Sequence, residues 1–189
     1  MSEKGINIDM TPVKSGERYF YVWSHRKNIG TPLDTGSMLM IAEFDPVHPE
    51  RLISEPKCLS RPLYGFENTE HTINNEGPYA FYYHNKIYLA YSGGDARGYL
   101  YAIGMLTAND GDDLCDLSVW EKAKTPIASF ATIPGEYGPG HNSFFWDRDQ
   151  NLWIAYHAVT SFEEKIVSSG MRRVYFEQDK TPRFDVIVE

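Results

Sequence analysis

Three polar residues that could do acid–base or metal chemistry, Asp9, Glu76 and His141, recur at nearly equal distances from three similar stretches of sequence. Each lies 14 or 15 residues before an aromatic residue of its stretch, respectively Trp23, Tyr91 and Tyr156. A carboxyl group can donate or accept a proton, and an imidazole can do the same or bind a metal ion. Side chains so far apart in the chain can share a site only if the fold brings the three stretches together.

The three stretches predict a repeat built of strands. They align residue by residue and are dense in aromatic and β-branched side chains, as buried strands are: 18–24, 86–92 and 151–157. A further strand is predicted after each stretch, at 38–44, 99–106 and 171–176. A turn and an outer segment then follow, and they match most closely between the first two units. Each unit therefore has the pattern of four antiparallel strands, which is the composition of one propeller blade.

From this repeat we predict an all-β fold, a β-propeller of four-stranded antiparallel blades. The predicted blades cover approximately 1–68, 69–133 and 134–189. Radially arranged sheets would point one polar residue per unit at a common axis. Propellers usually need about four to eight blades to close. We therefore expect about three blades of an incomplete ring, with the rest supplied by missing N-terminal blades or by another copy in a homo-oligomer.

Composition excludes several classes of protein. The net charge is −8 and no basic block is present, which argues against nucleic-acid binding. Cys58 and Cys115 lack the paired spacing of metal ligands, and we expect both to be reduced. No stretch is long enough for a membrane helix, and the start at Met1 has no apolar signal region. These features predict a cytoplasmic protein with no membrane partner.

The sequence around the three polar residues resembles glycoside hydrolase family 43. The matching motifs are Glu76-Gly77-Pro78, the segment Gly138-Pro139-Gly140-His141-Asn142-Ser143 and the strand ending Tyr156-His157-Ala158. Arg173-Val174 and the segment 179–184 resemble the last blade of arabinofuranosidase-type members. The resemblance covers nearly the whole chain. It implies the C-terminal portion of a five-bladed propeller that hydrolyses arabinose- or xylose-containing oligosaccharides with inversion, with α-L-arabinofuranosidase activity favoured over β-xylosidase activity.

The resemblance also implies a role for each carboxylate. Glu76 would be the general acid, because cleaving a glycosidic bond requires a protonated carboxyl group beside the leaving oxygen. Asp9 would orient that acid and tune its protonation. Ser24 and His157, which end equivalent strands, would line the funnel around them. Without the resemblance, Glu76 could simply cap the turn before Gly-Pro, and Asp9 could be a surface residue.

Four further residues receive binding roles through the resemblance. His141 would lie near the funnel axis and contact a calcium ion, with water supplying most of the shell because calcium prefers oxygen ligands. Arg173 would reach the substrate, while its neighbour Arg172 would lie on the surface, since adjacent strand residues face opposite sides. Phe66 and His71 would line the sugar subsite. Ordinary loop exposure explains Phe66 and His71 equally well.

The second carboxyl group that inversion requires is absent from the motifs. In the family, the general base is an aspartate of the first blade, N-terminal to the segment where this sequence begins. Asp45-Pro46 is a similar dipeptide, but it falls on a turn at the predicted rim. If the chain is complete as given, we expect very slow hydrolysis or none. A catalytically inactive sugar-binding or scaffold propeller is therefore the alternative.

Overall fold

The computed structural model describes residues 5–161, 163 and 166–185. Its first two sheets have four antiparallel strands each, and every strand pairs with the next one in the chain. The strands of the first sheet are β1 (Ile6–Ser15), β2 (Arg18–Arg26), β3 (Met38–Glu43) and β4 (Lys57–Ser60). Those of the second sheet are β5 (Asn75–Tyr83), β6 (Lys86–Gly93), β7 (Ala102–Asn109) and β8 (Glu121–Lys122). Both sheets have the predicted form of a propeller blade, and the all-β prediction is confirmed.

The third unit differs from the prediction within the described residues, because its main sheet has three strands. These are β9 (Tyr137–Trp146), β10 (Leu152–Val159) and β11 (Val167–Arg173). A separate hairpin follows, made of β12 (Tyr175–Phe176) and β13 (Pro182–Arg183). The carboxylate of Asp179 accepts a hydrogen bond from the backbone N–H of Thr181 at 2.9 Å and fixes the tight turn of this hairpin. The segment expected to extend the sheet therefore pairs with its own neighbour.

The middle sheet is buried on both faces. Along β6, Leu89 and Tyr91 pack in the core shared with the first sheet, whereas Tyr88 and Ala90 pack in the core shared with the third. Double burial explains why 86–92 is apolar nearly throughout instead of alternating with polar residues. Burying one such large side chain stabilises the fold by about 1.5–3 kcal/mol. The middle sheet is thus the framework on which the other two are assembled.

The outer faces of the first and third sheets are uncovered in the described structure. Met10 on β1 is 61% exposed, and Met171 on β11 is 66% exposed. A groove of about 860 Å³ runs over the outer face of the first sheet, where it is lined by Tyr21, Trp23 and Met40 among others. These exposed apolar faces are what an array of three blades taken from a larger ring should show.

Two short 3₁₀ turns, Gly65–Glu67 and Leu117–Val119, lie outside the sheets. In the part of the chain that the structure describes, no helix is long and apolar enough to cross a membrane. Glu67 is fully buried, accepts a hydrogen bond from the Tyr91 hydroxyl at 2.7 Å and forms an ion pair with Lys122. These contacts fix the loop before β5 against the middle sheet.

Candidate active site

The inner strands β1, β5 and β9 lie side by side, and each carries a β-bulge at the same place. Two residues of each bulge face one residue of the next strand: Asp9 and Met10 face Trp23, Gly77 and Pro78 face Tyr91, and His141 and Asn142 face Tyr156. The first residue of each bulge has a left-handed backbone, with φ of 57°, 56° and 50° in chain order. Such a bulge bends the strand and re-aims its side chains.

The register corrects the predicted equivalence of the three polar residues by one position. Asp9, Gly77 and His141 occupy equivalent places, and Glu76 lies one residue before that place. Glu76 pairs with Ser92, just as Ile8 pairs with Ser24 and Gly140 pairs with His157. The sequence spacing gave the wrong equivalence because the turn between β9 and β10 is longer than the turns of the other two hairpins. His141 is therefore one residue further along the chain from its aromatic partner.

Glycine at position 77 has a physical reason. Its φ of 56° is in the left-handed region that side chains other than glycine adopt at a cost. A Cβ atom there would also lie 3.3 Å from Nδ1 of His141, which is tighter than normal packing. The imidazole of the third sheet therefore packs directly on the backbone of the second sheet beside Glu76.

Asp9 is held by partners from all three sheets. Its Oδ2 accepts hydrogen bonds from the Ser24 hydroxyl at 3.1 Å and from the Gly77 backbone N–H at 3.3 Å. Its Oδ1 lies 3.7 Å from Nε2 of His141. The Gly77 N–H also lies 3.1 Å from the Ser24 oxygen, which closes a small network. Because that N–H belongs to the peptide bond that follows Glu76, Asp9 is fixed against the residue predicted to be the acid.

Glu76 has a different partner, which sequence reasoning missed. Its Oε1 accepts a hydrogen bond from the hydroxyl of Tyr101 at 2.8 Å. Tyr101 is fully buried, and its pKa is raised well above the usual range by burial and then by the charge of Glu76. The phenol therefore keeps its proton and acts as a donor. Register places Ser37 and Val167 at the equivalent positions of the other sheets, so the repeat carried no signal for a tyrosine here.

His141 and His157 line the same region. Their rings stack with centroids 6.4 Å apart, and the Tyr101 ring stacks on His157 at 5.5 Å. The pKa of His157 is lowered by burial and then by the neighbouring His141, so its imidazole favours the neutral form. The predicted placement of Ser24 and His157 near the carboxylates therefore agrees with the structure.

The three bulges enclose a cavity of about 580 Å³ between the inner strands. Its lining includes Asp9, Gly77, Tyr79 and His141. Arg26, a second residue that sequence reasoning missed, is close enough to Glu76 to feel its charge. The pKa of Arg26 is raised mainly by its hydrogen bonds to Asp34 and in smaller part by Glu76. The cavity is thus lined by the Asp9 carboxyl group and the His141 imidazole, and Glu76 lies one residue before the cavity-lining Gly77.

Arg173 is not brought to this cluster. It pairs with Trp153, four residues along β10 from His157, which corresponds to about 13 Å of strand. Its guanidinium lies 5.1 Å from the ring centre of Tyr175.

The predicted choice between the two arginines is also corrected, because Arg172 is the more buried one and bonds the carboxylate of Glu136 at 2.8 Å. The two arginines therefore face opposite sides of β11, as predicted, but Arg173 is the exposed one.

Phe66 and His71 also lie apart from the cluster. Phe66 is partly buried, packs on the core between the first two sheets and stacks with Tyr64 at 6.3 Å. It is therefore a packing residue in this structure and not an exposed platform for a sugar. His71 is exposed in the loop before β5, and no contact among the described residues joins it to Asp9, Glu76 or His141.

The side chains near His141 do not by themselves fit calcium. Calcium takes about six to eight oxygen ligands. The described residues contain no group of three or more His, Cys, Asp or Glu side chains that could hold a metal ion. Nε2 of His141 is instead directed at the Asp9 carboxylate. The expected calcium contact of His141 stays a prediction, since water was expected to supply most of the ligands.

Blade-like sheets whose inner strands bring Asp9 and His141 beside the backbone of Glu76 define a propeller with a polar cluster where the sheets meet. The Glycosyl hydrolases family 43 model matches residues 2–182, so the chain belongs to that family. It is 28% identical over 192 residues to an extracellular exo-alpha-(1->5)-L-arabinofuranosidase of Streptomyces avermitilis, which covers 97% of this chain and 38% of that protein. A protein of the same name from Streptomyces chartreusis is 34% identical over 154 residues, with 81% and 45% coverage.

A solved structure gives the same result. The alpha-L-arabinofuranosidase of Lactobacillus brevis superposes with a TM-score of 0.80 at 28% identity, over 95% of this chain and 55% of that one. The chain therefore spans about half or less of the proteins that it matches. The expectation of a cytoplasmic location is wrong, since both Streptomyces relatives are named as extracellular enzymes. That expectation came from the first residues of the sequence, which carry no such information in a chain that spans only part of its relatives.

Proposed function

We propose that the chain is part of a glycoside hydrolase that cleaves arabinose-containing glycans with inversion. Glu76 is the general acid, and Asp9 orients it. The observation that carries the proposal is that Asp9 of the first sheet contacts both the backbone N–H that follows Glu76 in the second sheet and the imidazole of His141 in the third. A surface cap or a turn residue would have no reason to be joined in this way.

The two carboxyl groups differ in a way that suits these roles. Asp9 already accepts hydrogen bonds from Ser24 and Gly77 and lies against His141, so it is committed to holding the site. Glu76 accepts one hydrogen bond, at Oε1, and keeps its second oxygen for a substrate. A general acid needs one oxygen from which a proton can leave toward the glycosidic bond.

Arabinose is favoured over xylose by three relatives that are 28% to 34% identical to the chain. The Streptomyces and Lactobacillus brevis proteins are named as arabinofuranosidases. A xylan beta-1,4-xylosidase of Bacillus halodurans has a similar fold, but its 13% identity supports the fold alone. We therefore propose α-L-arabinofuranosidase activity ahead of β-xylosidase activity.

The general base is proposed to lie outside the described residues. Inversion requires a second carboxylate about 6.5–9.5 Å from the acid, on the far side of the sugar ring. In the described part of the chain, no third carboxylate hydrogen-bonds to Asp9, Glu76 or His141. The base would come from further sequence of the kind that the longer relatives contain.

The test is the release of nitrophenol from aryl α-L-arabinofuranoside and aryl β-xyloside by the chain within a full-length protein that supplies the general base, and by Glu76→Gln in the same protein. We expect faster release from the arabinofuranoside and a loss of about 10²–10⁴-fold in the variant. Glu70→Gln is the control, because Glu70 is an exposed loop glutamate whose carboxylate contacts the backbone of Tyr99. A fully active Glu76→Gln variant would overturn the assignment of the acid.

A second candidate function is a non-catalytic sugar-binding propeller. It is favoured by the absence of a third carboxylate from the described cluster, since an acid without a base binds a sugar but does not complete inversion. Calorimetry with an arabino-oligosaccharide separates the two candidates. Binding without any product after prolonged incubation would favour this second function, whereas product formation that depends on Glu76 would favour the first.

A further inference from the structure

A chain of polar contacts links the third inner strand to Glu76 through the middle sheet. The backbone N–H of His141 donates to the Ser92 hydroxyl oxygen at 2.7 Å. The Ser92 hydroxyl in turn lowers the pKa of Tyr101, as a neighbouring donor does. Tyr101 in turn bonds Oε1 of Glu76 at 2.8 Å. The carboxyl group of Glu76 is thereby connected to the backbone beside the imidazole that contacts Asp9.

The direction of the contact between Tyr101 and Glu76 is fixed by charge. An ionised carboxylate can only accept, so the Tyr101 hydroxyl donates to Oε1 of Glu76. The Ser92 oxygen accepts from the backbone N–H of His141, so its own proton remains available to Tyr101. Burial and the charge of Glu76 hold the pKa of Tyr101 well above its usual range, so this proton is present at any physiological pH.

We propose that Tyr101 is a positioning residue that decides which oxygen of Glu76 carries the transferable proton. Because Oε1 is committed as an acceptor, the proton of the neutral acid is on Oε2, and Oε2 is the atom that faces the glycosidic oxygen. This inference rests on the proposed function only in naming Glu76 as the acid. The fixed hydrogen-bond direction would exist in a protein that binds sugars without cleaving them.

Tight packing holds the Tyr101 ring in place. A Cβ atom on Gly140 would collide with the ring, and one on Gly138 would collide with the Gly98 carbonyl and lie 3.4 Å from Cβ of Tyr101. The ring stacks on His157 on another side. Gly140 is therefore small because the Tyr101 ring needs the space, whereas Gly138 is small because of the Gly98 carbonyl.

The arrangement suits the bond changes of inversion. Water bonds to the anomeric carbon and gives a proton to the general base, while the carbon–oxygen bond to the leaving group breaks. The leaving oxygen keeps the electron pair of that bond and takes the proton of Oε2. Glu76 is left as a carboxylate, and the Tyr101 hydroxyl donates to the new charge. A hydrogen bond to a charged group is stronger than one to a neutral group, so this contact strengthens as the proton leaves.

The experiment is a pH titration of the Glu76 side-chain carboxyl carbon by NMR, in the chain labelled at glutamate and with the signal assigned by Glu76→Gln. Tyr101→Phe removes only the hydroxyl. Since that hydroxyl favours the charged carboxylate, we expect the titration midpoint to rise by about one to two pH units in the variant. No turnover is needed, so the result stands whether or not the chain hydrolyses glycosides.

The matched control is Tyr91→Phe, which removes another buried phenol that donates to a glutamate, Glu67, at 2.7 Å. It should leave the Glu76 midpoint unchanged. If Tyr101→Phe does not fold, Ser92→Ala is measured instead. It removes the donor to Tyr101 and should raise the same midpoint by a smaller amount. An unchanged midpoint in the folded variant, or an equal shift in Tyr91→Phe, would overturn the proposal.

Discussion

The middle sheet and the two outer sheets are built from the same repeat but differ in what covers them. The middle sheet, β5 to β8, is buried against a core on each face, and Leu89 and Tyr91 of its second strand are fully inaccessible. The first and third sheets each have one covered face and one apolar face that is open in the described structure. Equal strand patterns therefore do not give equal environments.

This difference separates the functional residues into two groups. Glu76 and Tyr101 belong to the sheet unit that is packed on both sides. Asp9 and His141 come from the sheets that each leave a face uncovered, and they reach Glu76 across the bulges of the inner strands. We infer that the acid is held by the stable centre of the chain, whereas the geometry of Asp9 and His141 depends more on whatever covers the outer faces.

The largest effect should come from weakening the middle sheet. Leu89→Ala removes a fully buried side chain and should lower the free energy of unfolding by about 2–5 kcal/mol. Met171→Ala, on the open face of the third sheet, should change it by less than about 0.5 kcal/mol. Urea denaturation measures both. Similar losses in the two variants would show that the open face is covered in solution, for example by another copy of the chain.

The next effect concerns the residue that the first sheet contributes to the cluster. Asp9→Asn places an amide where the carboxylate accepts from Ser24 and Gly77, which should displace the side chain and slow hydrolysis about 10²-fold. Asp45→Asn is the control, because Asp45 lies on the turn after β3. Nitrophenol release is the measurement. If the two variants released nitrophenol at equal rates, Asp9 would have no role in the reaction.

A smaller effect should distinguish backbone strain from crowding at the bulge. Gly77→Ala forces a left-handed alanine whose Cβ would lie 3.3 Å from His141, and it should cost about 1–2 kcal/mol in stability and displace the imidazole. Gly30→Ala has a φ of 76° but nothing within 4 Å, so it measures strain alone. Only Gly77→Ala should also reduce hydrolysis. If both variants lost the same activity, the contact between residue 77 and His141 would not explain the loss.

The fold was largely predictable because strand patterns repeat. The apolar runs around Tyr21, Leu89 and Ile154 predicted the second strand of every unit. Because three units are too few to close a ring, the outer faces of the first and third sheets follow as uncovered. The three-stranded third sheet was not predictable, because the hairpin after Val174 depends on which strand its segment meets in space. Short segments of similar composition can pair with a sheet or with each other.

Site residues were predictable where a reactive side chain occupied a repeated position of the sequence, and they were missed elsewhere. Asp9 and His141 share a bulge position and a reactive side chain, so both were found. Glu76 was found through its motif but placed one residue off, because the longer turn between β9 and β10 changed the spacing of the third unit. Tyr101 has no counterpart in the repeat. The exposure of Arg173 was not predictable, because sequence alternation tells which residues share a face but not which face is buried.

The most direct test of the central claim compares two leaving groups in Glu76→Gln. A dinitrophenyl arabinofuranoside needs little protonation to depart, whereas an arabinobiose needs a full proton from the acid. If Glu76 is the general acid at the junction of the three sheets, hydrolysis of the arabinobiose should fall by about 10²–10⁴-fold, while hydrolysis of the dinitrophenyl substrate should fall far less. An equal decrease for both substrates, or no decrease for either, would contradict the account.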